Sequence, residues 1–273
     1  MTYGSNVAIS DNAEIANSVY GGGYFGYAKV SSNMLISGNA LIHGSVYGGS
    51  NQNDGPIVNI TMKGGLVEGG VYGGSNTTGT VAGPVTMQIN GGTVGDGGDG
   101  DGIYGGGYGS STIVTGNVSV TLGDSPANSG GATVNGNVYG GSALGSTNSG
   151  NANNTTAVTV NKGTVNGDLF GGAYGNGATV NGKITVTMAG GSVTGGLYGG
   201  GDAAAYGPNS NHPVVNMTGG TAGNVYGGGK GDSARVTGNP QVTLSGNAQV
   251  TGNVYGGGNA AEVIGSTNVR LQD

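Results

Sequence analysis

Apolar residues recur along this chain in short alternating runs, and each set of runs closes on one four-residue signature. Reading back from Tyr198, apolar side chains fall at Leu197, Val193, Met188, Val186 and Ile184. Reading back from Tyr72 they fall at Val71, Val67, Met62, Ile60 and Val58, the same offsets, and Phe170 gives Leu169, Val165, Val160 and Val158. Such short alternation with period two predicts β-strands with one buried face. The closing signature, aliphatic–aromatic–Gly–Gly, occurs nine times, with its ring at Tyr20, Tyr47, Tyr72, Tyr104, Tyr139, Phe170, Tyr198, Tyr226 and Tyr255. The next residue is always Gly, Ser or Ala, and successive rings are 27, 25, 32, 35, 31, 28, 28 and 29 residues apart. The turns ending at Tyr47 and Tyr255 carry one extra residue, and the turn ending at Tyr226 has one fewer.

Strands this short cannot bury an apolar face alone, whereas stacked copies can, with Val on Val and Gly on Gly down an axis. The pattern therefore predicts an all-β fold, a single-stranded β-solenoid (β-helix) of about nine turns of roughly 28 residues with three short faces per turn. Glycines are expected at the corners, where the backbone needs positive φ or a tight bend. At about 4.8 Å per layer, nine turns make a rod of roughly 40–45 Å. Length varies most just after the Gly-Gly pair, as in Ser142 to Thr156 and Asp202 to Pro213. Further expansions lie at Gly95 to Gly102 and Asp124 to Gly131, and all four are expected to project as loops. No linker interrupts the series, so residues 1–273 read as one domain, and the stop part-way into a tenth turn suggests a piece of a longer array.

Composition narrows the partners. Gly supplies 67 of 273 residues, which argues against a helical protein because each interior Gly costs a helix about 1 kcal/mol relative to Ala. Collagen needs Gly at every third position, and a disordered tail needs high net charge, whereas the formal charge here is −6. Lys29, Lys63, Lys162, Lys183, Lys230, Arg235 and Arg270 are scattered and form no patch for a nucleic-acid backbone. No apolar run approaches the roughly 20 residues of a membrane span, so no membrane insertion is expected in this segment. The segment Met1 to Asn6 lacks the basic and apolar regions of a signal peptide. Cysteine is absent, which excludes disulfides, thiolate metal sites and thiol catalysis.

The Val-Tyr-Gly-Gly-Gly and Gly-Gly-Ser-Val-Thr-Gly units, cleanest from Gly190 to Gly201, resemble the glycine-rich β-helical repeats of large secreted or cell-surface bacterial adhesin-like proteins. Those repeats are comparable in kind to autotransporter and haemagglutinin passengers. The resemblance covers nearly the whole chain and is one of repeat style. It implies an exported bacterial protein, secreted or on the cell surface, with an adhesive or scaffolding role, and it transfers no catalytic residues. A signal peptide removed or lying upstream would reconcile export with the bare N-terminus.

Several residue sets invite a chemical reading. The column of rings listed above, Tyr20 through Tyr255, is a candidate strip for stacking on glycan or host protein. Alternation would turn each ring outward or onto a corner, and the rival reading is that rings stack on one another and cover the glycines. Asp96, Asp99 and Asp101 place three carboxylates in the eight residues Gly95 to Gly102, similar to a single calcium nonapeptide, and make calcium the candidate ion. Thr61, Thr159, Thr187 and Thr243, with Thr86 and Thr121, should form an outward hydroxyl column, which raises an ice-binding alternative. A polysaccharide-active enzyme would want two carboxylates across a cleft, whereas acids here are spread singly outside the glycine-rich loop. His43 and His212 show no orienting acid nearby in sequence, and the chain is read as a non-enzyme. The expected function is a stiff structural and adhesive module. The alternatives are a pure spacer or self-assembling scaffold, with self-association through unpaired end strands, and a phage-type receptor-binding adhesin.

Overall fold

Each coil of the chain is laid directly on the one before. The computed structural model describes residues 4–26, 28–98, 100–124, 130–207 and 211–273, and among them every regular element is a strand. The longest ladder is built from Ser5–Ile9, Ser31–Ile36, the first halves of Ile57–Val67 and Val85–Val94, then Val118–Leu122, Thr155–Val160, Lys183–Met188, Val214–Met217, Gln241–Leu244 and Asn268–Leu271. All pair in parallel, each with the next in sequence. Their register is continuous, so one column of apolar residues runs Val7, Met34, Ile60, Met87, Val120, Val158, Val186, Val215, Val242, Val269. This is the predicted β-solenoid.

A second, shorter ladder follows each long strand (Leu41–Ile42 and Thr164–Val165 are two of its members), and a third carries the aliphatic–aromatic pairs, such as Val46–Tyr47 and Leu169–Phe170. The corner between the first two ladders explains the extra residue in some turns. At Ser10–Ala13, Ser37–Ala40 and Ser245–Ala248 the Ala N–H donates back to the Ser carbonyl at 3.1, 3.5 and 3.2 Å. The residue after Ser is left-handed there, at φ 59 for Asp11, 68 for Gly38 and 57 for Gly246.

The glycines after each ring answer a different need from the one anticipated. None of them has positive φ. A Cβ on Gly105 would lie 2.1 Å from the Gly140 carbonyl oxygen and 2.5 Å from Val118 Cγ1. Equivalent clashes meet Gly73, against Gly105 and Val85, and Gly171, against Ile184 and Gly199. These positions are glycine because consecutive coils and the long strand's first inward residue meet there, leaving no room for a methyl group.

The structure also differs from the expectation of three faces and free loops. A fourth ladder forms in the variable stretch after the Gly-Gly pair, from Thr78–Val81, Ser111–Val114, Ser146–Thr147 (inside the Ser142 to Thr156 segment) and Thr179–Val180, with a separate pair Val236–Thr237 and Val263–Ile264. Single bridges at Tyr206 join the two parts. Val81, Val114, Thr147, Val180, Tyr206 and Val236 stack in this ladder and are all buried. The apolar residues were present in sequence, but the variable spacing from the ring concealed their common register. Residues 125–129 of the Asp124 to Gly131 expansion and 208–210 of the Asp202 to Pro213 segment lie outside the described residues.

Candidate functional site

The ring column is interior. The aliphatic partner of each pair enters the main core, and the ring enters a second one made of Tyr47, Tyr72, Tyr104, Tyr139, Phe170, Tyr198 and Tyr226, with Tyr20 packed against its end. Consecutive rings lie 4.6–5.1 Å apart and within 12° of parallel. Phe170 is fully buried, and only Tyr255, at the end of the stack, is 44% exposed. Stacking consumes the ring faces, so they are not laid out as an exposed strip; each stacked contact contributes about 0.5–1.5 kcal/mol beyond area burial. Burial pushes the Tyr47 phenol up to about 12 and raises Tyr72, Tyr104 and Tyr139 further.

What covers the stack is a position that sequence reading passed over. Four residues beyond each ring stand Tyr24, Asn51, Asn76, Tyr108, Ala143, Tyr174, Asp202, Lys230 and Asn259. From Tyr108 onward they are joined rung to rung by single β-bridges. Their side chains lean back over earlier coils. Asn76 donates to the Tyr20 hydroxyl (3.2 Å) and Asn259 to that of Tyr198 (3.3 Å), while the Tyr139 hydroxyl donates to Asp202 Oδ2 (3.1 Å). Lys230 Nζ reaches Asp168 at 2.7 Å. Tyr108 meets Tyr72 edge-on at 5.5 Å, and Tyr174 lies against both Tyr104 and Tyr139. A fixed offset carrying varied polar and aromatic types, amid otherwise tiny residues, was the available signal.

Between this cover and the corner preceding the rings opens a cleft of about 650 Å³. Its lining includes Asp101, Tyr104, Asn137, Tyr139, Tyr174 and Asp202. Burial raises the Asp202 carboxyl, with the Tyr139 hydroxyl and Lys230 acting against that rise. Asp101 belongs to this lining. Its Oδ2 accepts the backbone N–H groups of Asp96 (3.0 Å), Gly97 (3.0 Å) and Gly98 (2.7 Å), and Asp96 Oδ1 accepts Gly98 N–H a second time at 3.0 Å. Backbone N–H donors thus gather around the Asp101 carboxylate, one of the three in the calcium reading. Asp99, the third carboxylate of that reading, lies outside the described residues, and among those described no cluster of three or more metal-ligating side chains occurs.

Two other sequence readings change. Thr61, Thr121, Thr159, Thr187 and Thr243 do share an outward column, but Gln88 and Asn216 interrupt it. Thr86 belongs to the neighbouring column, paired with Asn59 and Ser119. That neighbouring column begins with an asparagine ladder, Asn59 donating to Asn33 (2.9 Å) and Asn33 to Asn6 (3.0 Å). His43 is not alone. Its Nε2 lies 2.8 Å from Glu14 and its Nδ1 2.8 Å from Glu68, one coil to either side, and these two hydrogen bonds raise its pKa above the ordinary 6.5. His212 Nδ1 accepts the Asn239 N–H at 3.0 Å. The contacts arise from carboxylates 29 and 25 residues from His43, a spacing that acquires meaning only once the coil register is known.

Neither protein-family models nor curated proteins nor solved structures give a match to this chain, so its chemistry rests on the residues described above.

Proposed function

We propose that this chain is a structural and adhesive module of an exported bacterial surface protein, a stiff rod that carries contact surfaces away from the cell. The observation that supports this reading is the unbroken register of ten strands in the longest ladder, which leaves each coil bonded along its length to its neighbours. Such a ladder resists bending because tilting one coil opens hydrogen bonds on every face at once. Contact is assigned to the outward Asn and Thr columns and to the cover over the ring stack. The rings themselves serve as filling. Repeated weak contacts on one rigid body sum by avidity.

The test is retention of beads densely coated with the chain on glycan and host-cell-surface arrays, against the free monomer as reference. Strong bead retention with weak monomer binding is the expected result. Retention no greater than that of beads carrying an inert protein would overturn the adhesive part and leave the spacer reading.

A further inference from the structure

The cleft over the ring stack has an unusual balance of spent and unspent groups. The amides that would normally read a neutral polyhydroxylated ligand are already engaged. Asn135 donates to the Gly95 carbonyl (2.8 Å) and accepts from Asn166 (2.9 Å). Asn137 donates to the Tyr139 hydroxyl (2.9 Å) and accepts the Asp168 N–H (2.8 Å). Beyond one remaining N–H on each of these two amides, what is left is acceptor chemistry and negative charge. Asp101 and Asp202 each have one oxygen committed within the protein, Oδ2 in both cases, and Oδ1 of each has no hydrogen-bond partner among the described residues.

Tyr104 adds a second observation. It is 4% exposed, its faces are covered by Tyr72 at 4.7 Å and Tyr139 at 4.8 Å, and it still lines the cleft. Its hydroxyl has no hydrogen-bond partner among the described residues, whereas that of Tyr139 on the next coil has two. Asp101 and Asp202 line the same cleft as Tyr104, and the charge of each raises the pKa of the Tyr104 phenol, which burial has already pushed up. The neighbouring cation, Lys230, is held by Asp168. Tyr174, 41% exposed, supplies an aromatic wall.

We propose that this cleft binds the protonated primary amine of a small organic ligand, with the ammonium between Asp101 and Asp202, above the Tyr104 hydroxyl and beside the Tyr174 ring. An ammonium brings three donors and no acceptor, matching two carboxylate oxygens and one phenol oxygen. The ring adds cation–π attraction. The volume suits a ligand of monosaccharide or polyamine size. An amino sugar and an aliphatic polyamine share this chemistry. The site depends on Asp101 and Asp202 in particular, so it stands or falls independently of the outward Asn and Thr columns, which can retain beads without it.

Calorimetric titration of the full chain at pH 7 and low salt with glucosamine, spermidine, glucose and calcium chloride tests it. Saturable binding of glucosamine or spermidine, with glucose at least tenfold weaker, is expected, and the stronger of the two amines identifies the carrier. Asp202→Asn keeps an acceptor for the Tyr139 hydroxyl and should weaken the amine about tenfold with an unchanged melting temperature. Tyr174→Leu should weaken it too, by a smaller factor. Equal binding of glucose and glucosamine, binding of calcium alone, no saturable amine binding up to 10 mM, or an Asp202→Asn variant that binds like the parent would each overturn the proposal.

Discussion

Replacing Gly105 by Ala adds one methyl group at the point where two coils touch. The new Cβ would sit 2.1 Å from the Gly140 carbonyl oxygen, against about 3.4 Å for ordinary contact, and 2.5 Å from Val118 Cγ1. Neither side can yield cheaply. Gly105 N–H is bonded to the Tyr139 carbonyl at 2.9 Å and Gly106 N–H to the Gly141 carbonyl at 3.1 Å, while Gly73 N–H holds the Tyr104 carbonyl at 2.8 Å from the other side. Moving the chain by the required ångström would break these bonds and unstack Tyr104 from Tyr139. Overpacking in a well-ordered core costs typically 1–3 kcal/mol, and the rigid backbone contacts place this site at about 3 kcal/mol or above. At about 2–4 °C per kcal/mol for a chain of this size class, the melting temperature should fall by roughly 6–12 °C. The control is Gly26→Ala, where a Cβ meets nothing within 4 Å and φ is not positive; there the change should be neutral or gain about 0.4–1 kcal/mol through the unfolded state. Thermal melts followed by far-ultraviolet circular dichroism read both. If Gly105→Ala melts within 2 °C of the parent, the argument that these glycines exist to let coils approach is wrong.

Other outcomes follow from the same structure. Phe170→Ala removes a fully buried ring stacked at 4.9 and 4.7 Å on its neighbours, and should cost about 3–5 kcal/mol, read from the urea midpoint. The His43 pKa is raised in the folded chain, so its stabilising effect is complete below the unfolded value near 6.5 and is lost as pH rises through the folded value. Its imidazole resonances should titrate above 6.5, and His43→Gln should abolish that segment of the stability profile; an unshifted titration would refute the bridge between Glu14 and Glu68. Raised phenols in the stack carry the same sign, with stability intact below pH 10 and lost above it. Absorbance at 295 nm should therefore show the ring-stack tyrosines ionising only together with loss of the β signal. Lys230→Met should change stability by less than about 1 kcal/mol, because the lysine is partly exposed and solvent screens its pair with Asp168.

The fold was legible because its cause is local and repeated. Leu197, Val193 and Met188 stand at the same distances from Tyr198 as Val71, Val67 and Met62 do from Tyr72, and stacking follows from that alone. The fourth ladder was hidden because Val81, Val114 and Val180 lie nine, ten and ten residues beyond their rings while Tyr206 lies eight beyond, so no constant offset announces them. The rings' burial escaped the alternation argument, which assumes one wet face; the chain folds back after each Gly-Gly pair and covers that face with residues such as Tyr108, Tyr174 and Asp202. The cleft itself was out of reach. It joins Asp101 to Asp202 across 101 positions of sequence, and only the accumulated lengths of the intervening turns decide that they meet.

Since Phe170, Tyr198 and Tyr226 occupy equivalent places 28 residues apart, a section from just after one ring through the next can be excised and the cut ends will meet in the geometry they left. The molecule then loses one step and keeps its cross-section. Its extent is a tally kept by the polypeptide, like marks on a ruler.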